Sequence, residues 1–196
     1  MEADAFLDEV LSRVNAFLQQ SQHVDQIRST ETHQSLNRIS DLKLPLEGRG
    51  IDSALDDIEM VLRNSVHTTA PGFMNPLWGG LSVASIAGEL VTAATNTAMY
   101  TYEIAPIATL IETTILKRMA ELADFGTSQG TLTTGGSNGN LLGLLCARQS
   151  KNHLSSRSGF DGQKMVAFVS EESHYSFSIA SNVIGIGHAN LVKVQC

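Results

Sequence analysis

The stretch best suited to chemistry is Thr134-Gly135-Gly136-Ser137-Asn138-Gly139-Asn140. Adjacent glycines let backbone N–H groups turn toward one point, and a helix starting here adds its unpaired donors and partial positive charge. Together they make an anion site suited to a phosphate, with the Ser137 hydroxyl as a further donor. The plainer alternative is a glycine-rich turn in which Ser137 or Asn138 caps a helix. The loop lacks the lysine of a Walker loop. Gly185-Ile186-Gly187 does not complete a dinucleotide fingerprint either, because Asn190 stands where the third glycine belongs.

The same residues read as Gly-x-Ser-x-Gly, the pattern of a hydrolase nucleophile elbow, and Asp161 and His174 follow in the order Ser, Asp, His. The context is poor, since an elbow follows a strand inside a sheet already built, and a mainly helical region comes first here. His174 lies in Ser170-Glu171-Glu172-Ser173-His174-Tyr175-Ser176, just beyond an apolar strand-like run. Ligands of open parallel sheets bind outside such strand ends, so His174 and the glycine loop can face one crevice. The alternative for His174 is a surface or capping residue. No metal is expected: neither His174 nor His23, His33, His67, His153 or His188 has ligand spacing.

The elements that must position these groups divide the chain. Phe6, Leu7, Val10, Leu11, Val14, Phe17 and Leu18 recur at helical spacing and predict an amphipathic helix. Residues 21–50 read as a connector with one short helix. A second helix is expected from Ser53, with Ser53 and Asp56 as a capping box. Residues 66–80 hold Pro71, Gly72, Pro76, Gly79 and Gly80 and predict a loop, one apolar enough (Phe73, Met74, Leu77, Trp78) to be packed against something. Helical spacing resumes at Val83, and a long helix follows Glu103 with Pro106 in its first turn. Thereafter the pattern is a strand at 131–134, a helix at about 138–148, a strand at 165–169, a helix at about 173–184 and a strand at 191–194. That is the rhythm of an α/β chain starting a parallel sheet.

The chain has 196 residues, 42% of them hydrophobic and 17% charged, with a formal net charge of −7, which excludes a disordered chain or a disulfide scaffold. Scattered basic residues in an acidic chain argue against a nucleic-acid partner. Two cysteines, Cys146 and Cys196, fit a reducing compartment, and no run of about 18 apolar residues could span a bilayer. A cytoplasmic protein with no nucleic-acid or membrane partner is expected.

Three separated motifs then carry a resemblance: Asn96-Thr97-Ala98-Met99-Tyr100-Thr101-Tyr102-Glu103-Ile104-Ala105-Pro106, the glycine loop through Leu141, and Ser170 to Ser176. As a set, in order over about residues 53–194, they resemble the group II pyridoxal-phosphate-dependent amino-acid decarboxylases, in particular the glutamate and cysteine sulfinate decarboxylase branch. The resemblance implies the type I, aminotransferase-like fold and a homodimer with its active site at the subunit interface. It implies residues 1–65 as a helical dimerisation segment and 66–196 as the beginning of the large cofactor-binding domain. Carried over by position, Gly136 and Ser137 would hold the phosphate of pyridoxal 5'-phosphate, with Asn138 adding its backbone. His174 would stack on the pyridine ring as the catalytic residue. Asn75 would face the amino-acid substrate, and Asn96 would help from across the interface.

The chain departs from that branch in two respects. Pro76 stands where the compared glutamate decarboxylases have a glutamine that contacts the substrate carboxylate, and Trp78-Gly79-Gly80 is foreign to the branch. The chemistry also needs a Schiff-base lysine and an acid for the pyridinium nitrogen. Lys43, Lys117, Lys151, Lys164 and Lys193 all lack the His-Lys context of that lysine. The expectation is the amino-terminal part of a carboxy-lyase subunit for a glutamate-like or other small polar amino acid. The alternatives are a serine hydrolase using Ser137 and a non-catalytic oligomerisation module.

Overall fold

The computed structural model describes residues 3–40, 45–126 and 129–196; Lys43 lies outside them. The chain forms two compact units, 1–97 and 98–196. The segment expected as the dimerisation region, 1–65, falls within the first.

In the first unit, helix α1 (Ala3–Ser21) packs on α3 (Ile51–Asn64), whose Leu55 is buried. Arg13 joins them: its Nε donates to Glu9 Oε1 at 2.8 Å and its Nη1 to the Leu55 carbonyl at 3.0 Å. The hydrogen bond to Glu9 holds the guanidinium above its ordinary pKa. At the end of α1, the fully buried Ser21 hydroxyl donates to the Phe17 carbonyl and lies 2.6 Å from His67 Nδ1, with the His67 ring stacked on Phe17. The short helix expected in the connector is α2 (His33–Ile39), closed at its start by a Thr32–Ser35 capping box.

Helix α3 begins two residues before the expected start. Gly50, at φ 84, turns the chain into the helix, Asp52 takes the first turn, and no Ser53–Asp56 box forms; Ser53 Oγ instead donates to the Arg49 carbonyl at 3.1 Å. Residues 66–80 form turns, as predicted. Only part of their apolar surface is packed: Ala70 is buried and Phe73 half-buried, whereas Met74 is 91% and Leu77 89% exposed. Helix α4 (Val83–Thr95) is capped by Ser82 and ends at Asn96 in the left-handed conformation.

In the second unit, α5 (Pro106–Leu122) starts on its proline, and α6 (Gly136–Lys151) runs two residues earlier and three later than expected. The four-residue α7 (Ser155–Ser158) leads toward strand β1 (Ala167–Ser170). Helix α8 (Ser176–Val183) and a 3₁₀ turn (His188–Asn190) connect it to β2 (Leu191–Val194), with the glycines at 185 and 187 both at positive φ. The strands pair in parallel, Ala167 opposite Leu191 and Ser170 opposite Val194.

Among the described residues this sheet has two strands, not three. Residues 131–134 are threonine-rich, but a strand exists only with a ladder partner, and they have none here. The Thr133 hydroxyl donates locally to the Gly135 carbonyl at 3.1 Å. A run as continuously apolar as 165–169 suits a strand buried on both faces, yet Phe168 is 69% exposed, with no described element covering it. No helix among the described residues is long and apolar enough to cross a membrane.

Candidate active site

The site is organised by the pairing of α6 with α8. Asn140 Nδ2 donates to Ser176 Oγ at 2.9 Å, and Arg148 Nη1 donates to the Ile184 carbonyl at 2.7 Å. From the first bond to the second, both segments advance by eight residues, 140 to 148 and 176 to 184, so the helices run parallel. Their N-termini therefore share one end, as the N-termini of crossover helices do at the ligand end of a parallel sheet. The buried face of α8 (Ser176, Ala180, Ser181) and Ile184 and Ile186 after it secure this placement.

At that end the glycine loop opens α6. Gly135 is the N-cap and supplies no side-chain cap, so neither Ser137 nor Asn138 caps the helix. Its carbonyl accepts from the N–H groups of Asn138 and Gly139, both at 3.0 Å. Asn138 therefore does not offer the free backbone donor expected of it; its side chain remains available. The N–H groups of Gly136 and Ser137 and the Ser137 hydroxyl have no partner among the described residues, and the first turn carries no acidic side chain. A Cβ at Gly136 would meet nothing within 4 Å, so the space at this turn is open. Ser137 and Asn138 line an open cleft of about 260 Å³ together with Ser176, Ile179 and Val183 of α8.

His174 lies in the turn between β1 and α8. The helix starts at Ser176, not near 173, because the chain first turns back on itself: Ser173 N–H donates to the Ser170 carbonyl, and Ser170 Oγ accepts from Glu172 N–H. The imidazole is thereby left outside the helix and exposed, with Ser176 N–H 3.2 Å and Ser176 Oγ 2.9 Å from its Nδ1 and the Tyr175 ring 4.2 Å away. Gly136, Ser137 and His174 are thus brought to one end of one unit.

The hydrolase constellation is not assembled. Ser137 sits at ordinary φ in the first turn of a helix with no strand before it among the described residues, and the Nδ1 of His174 is held by Ser176, with no bond to Asp161. Asn75 and Asn96 belong to the first unit, and both have local work. Asn75 Oδ1 accepts from Leu77 N–H at 2.8 Å, and Asn96, at φ 43, ends α4. Among the described residues no three His, Cys, Asp or Glu side chains cluster as metal ligands.

Residues 33–196 match the pyridoxal-dependent decarboxylase conserved domain. The chain belongs to the pyridoxal-dependent decarboxylase family. It is 35% identical over 166 residues to the glutamate decarboxylase of Drosophila melanogaster, covering 82% of this chain and 32% of that one. It is 32% identical over 163 residues to an acidic amino acid decarboxylase of Mus musculus, covering 83% and 30%. The crystal structure of mouse CSAD superposes with a TM-score of 0.93 at 28% identity, over 98% of this chain and 42% of that one. The chain spans about a third of the length of the curated relatives it matches. Its architecture is that of a decarboxylase of the type I fold, as expected; the structure of Oryza sativa TDC with PLP shares it at a TM-score of 0.80 and 20% identity.

The family's cofactor is pyridoxal phosphate, and the residues present fit it. Two open amides and a hydroxyl at a helix N-terminus free of carboxylates suit a phosphate dianion. An exposed imidazole at the same end offers a flat partner for an aromatic ring. The roles of Asn140 and Ser176 were missed at the level of sequence. The available signal was a polar residue at 140, beside Leu141 and one helical turn before Leu144, where the helix needs an apolar face.

Proposed function

We propose that the protein carrying this chain is a carboxy-lyase that removes the α-carboxylate of a small acidic or otherwise small polar amino acid. The observation that carries the reading is the convergence of the α6 N-terminus and His174 at one end of a parallel helix pair. Pyridoxal phosphate, when bound, supplies a conjugated ring that takes up the electron pair left by the departing carboxylate. The chain's own residues do the holding. Gly136 and Ser137 bind the phosphate through their N–H groups and the Ser137 hydroxyl, and His174 fixes the plane of the ring.

The substrate class draws its support from the relatives, whose names specify glutamate, acidic amino acids and cysteine sulfinic acid. Pro76 has no side-chain donor for a substrate carboxylate, so recognition of the acidic group falls to other residues, with Asn75 and Asn96 as the candidates in this chain. A homodimer in the cytoplasm completes the proposal. The extensive apolar surface of α5 and of the 73–78 loop supports an assembled state.

Release of labelled carbon dioxide from carboxyl-labelled glutamate, aspartate and cysteine sulfinate, measured on the intact polypeptide with and without pyridoxal phosphate, tests the reading. Cofactor-dependent release from an acidic amino acid is expected. Cofactor binding without release from any amino acid would overturn it.

A further inference from the structure

We infer that Asn140 and Ser176 are positioning residues for His174: the Ser176 N–H sets its Nε2–H tautomer, and the Asn140–Ser176 side-chain relay fixes the ring in orientation. The catalytic consequence rests on the proposed reading of His174 as the residue that meets the cofactor ring; the hydrogen-bond assignment does not.

The assignment follows from donor arithmetic. Ser176 N–H points at His174 Nδ1 from 3.2 Å, and a backbone N–H can only donate, so Nδ1 is an acceptor and carries no proton. Ser176 Oγ lies 2.9 Å from the same nitrogen, which leaves its hydroxyl hydrogen to be directed there as well. A hydroxyl has one hydrogen. The 2.9 Å contact from Asn140 must therefore be its Nδ2–H donating into the Ser176 oxygen, which also fixes which way the amide faces. Asn140, Ser176 and His174 thus form a relay of donors running in one direction, and Nε2–H is the only polar group the ring has left to offer.

Burial makes the relay matter. Ser176 is 3% exposed, so water does not readily replace either partner. Asn140 lies one helical turn beyond Ser137 on α6, so the helix that presents the anion donors also sets the histidine. The two halves of the site are therefore registered to each other through one side chain, which neither motif reveals alone.

Long-range proton–nitrogen correlation NMR of the intact, cofactor-free protein labelled with ¹⁵N-histidine reads the tautomer directly. His174 is expected with Nδ1 bare and Nε2 protonated. Asn140→Asp replaces the donor with an acceptor and draws the Ser176 hydroxyl hydrogen away, so Nδ1 keeps the Ser176 N–H but loses its second donor, and its ¹⁵N resonance should shift while the tautomer stays Nε2–H; Ser176→Thr should leave the resonance unchanged. In the loaded enzyme, Asn140→Asp and Ser176→Ala should lower kcat by about tenfold, the scale seen for partners that orient metal-bound histidines, with KM little changed. Ser176→Thr should restore most of the loss. Nδ1–H in the unvaried protein, or an unmoved Nδ1 resonance in Asn140→Asp, would overturn the inference. The expected tautomer in a protein that binds no pyridoxal phosphate would instead overturn the active-site reading and leave the assignment standing.

Discussion

Arg148 Nη1 donates to the carbonyl of Ile184 at 2.7 Å, at the far end of the helix pair from the bond between Asn140 and Ser176. The guanidinium carbon also lies 5.6 Å from the centroid of the Phe160 ring, so one side chain ties α6 to the end of α8 and to the loop before β1. Eight residues of helix, about 12 Å, separate this clamp from the site it supports.

The clamp makes Gly185 a sensitive position. It sits at φ 81, and a Cβ there would lie 2.8 Å from Phe160 Cε2. Gly185→Ala combines left-handed strain with a clash against a ring held by Arg148, so a loss of about 2–4 kcal/mol is expected. Denaturant unfolding of the intact protein checks it; an unchanged midpoint would contradict the packing described for this turn.

Ser137→Asp places a carboxylate beside a dianion at a helix N-terminus arranged for negative charge. Cofactor affinity should fall sharply, whereas Ser137→Ala, which keeps both N–H donors, should cost much less. Equilibrium titration with pyridoxal phosphate separates the two. Equal affinity of the wild type and the Asp variant would refute the cradle.

His174→Ala should impair turnover far more than folding, because the imidazole is exposed and packs against no core. A misoriented reacting group costs on the order of 10²-fold, and that is the loss expected in kcat. Thermal unfolding measured alongside should show little change. Wild-type turnover with normal cofactor absorbance in the variant would remove His174 from the site.

Residues 1–196 produced alone should associate and release no carbon dioxide. Phe168 on β1 and Met74 and Leu77 in the 73–78 loop are exposed, one edge of β1 is unpaired among the described residues, and no lysine of the chain has the His-Lys context. Light scattering, cooperative unfolding and borohydride trapping of the cofactor are the measurements. A monodisperse, cooperatively unfolding monomer would contradict the first expectation, and a stoichiometric adduct at one lysine with carbon dioxide release the second.

Much of this arrangement was legible because the strongest signals are periodic or compositional. The stripe from Phe6 to Leu18 gives α1, Pro106 marks the start of α5, and Leu191 to Val194 is a strand as read. The glycine loop and His174 announce themselves by residue type. What was not legible depends on partners distant in sequence. The threonines at 131–134 favour an extended chain, yet no neighbour among the described residues makes them a strand. Ser53 looks like a cap but lies inside a helix that Gly50 has already begun. Asn138 looks like a donor at the anion site, but its N–H closes the first turn onto Gly135. The bond from Asn140 to Ser176 spans 36 residues, and no local pattern encodes it.

The most direct test of the site is a crystal structure of the intact protein grown with pyridoxal phosphate. The expected result places the phosphate oxygens within hydrogen-bond reach of the Gly136 and Ser137 N–H groups and the Ser137 hydroxyl, with the pyridine ring stacked on the His174 imidazole. A phosphate bound away from the start of α6, or a ring with no contact to His174, would contradict it.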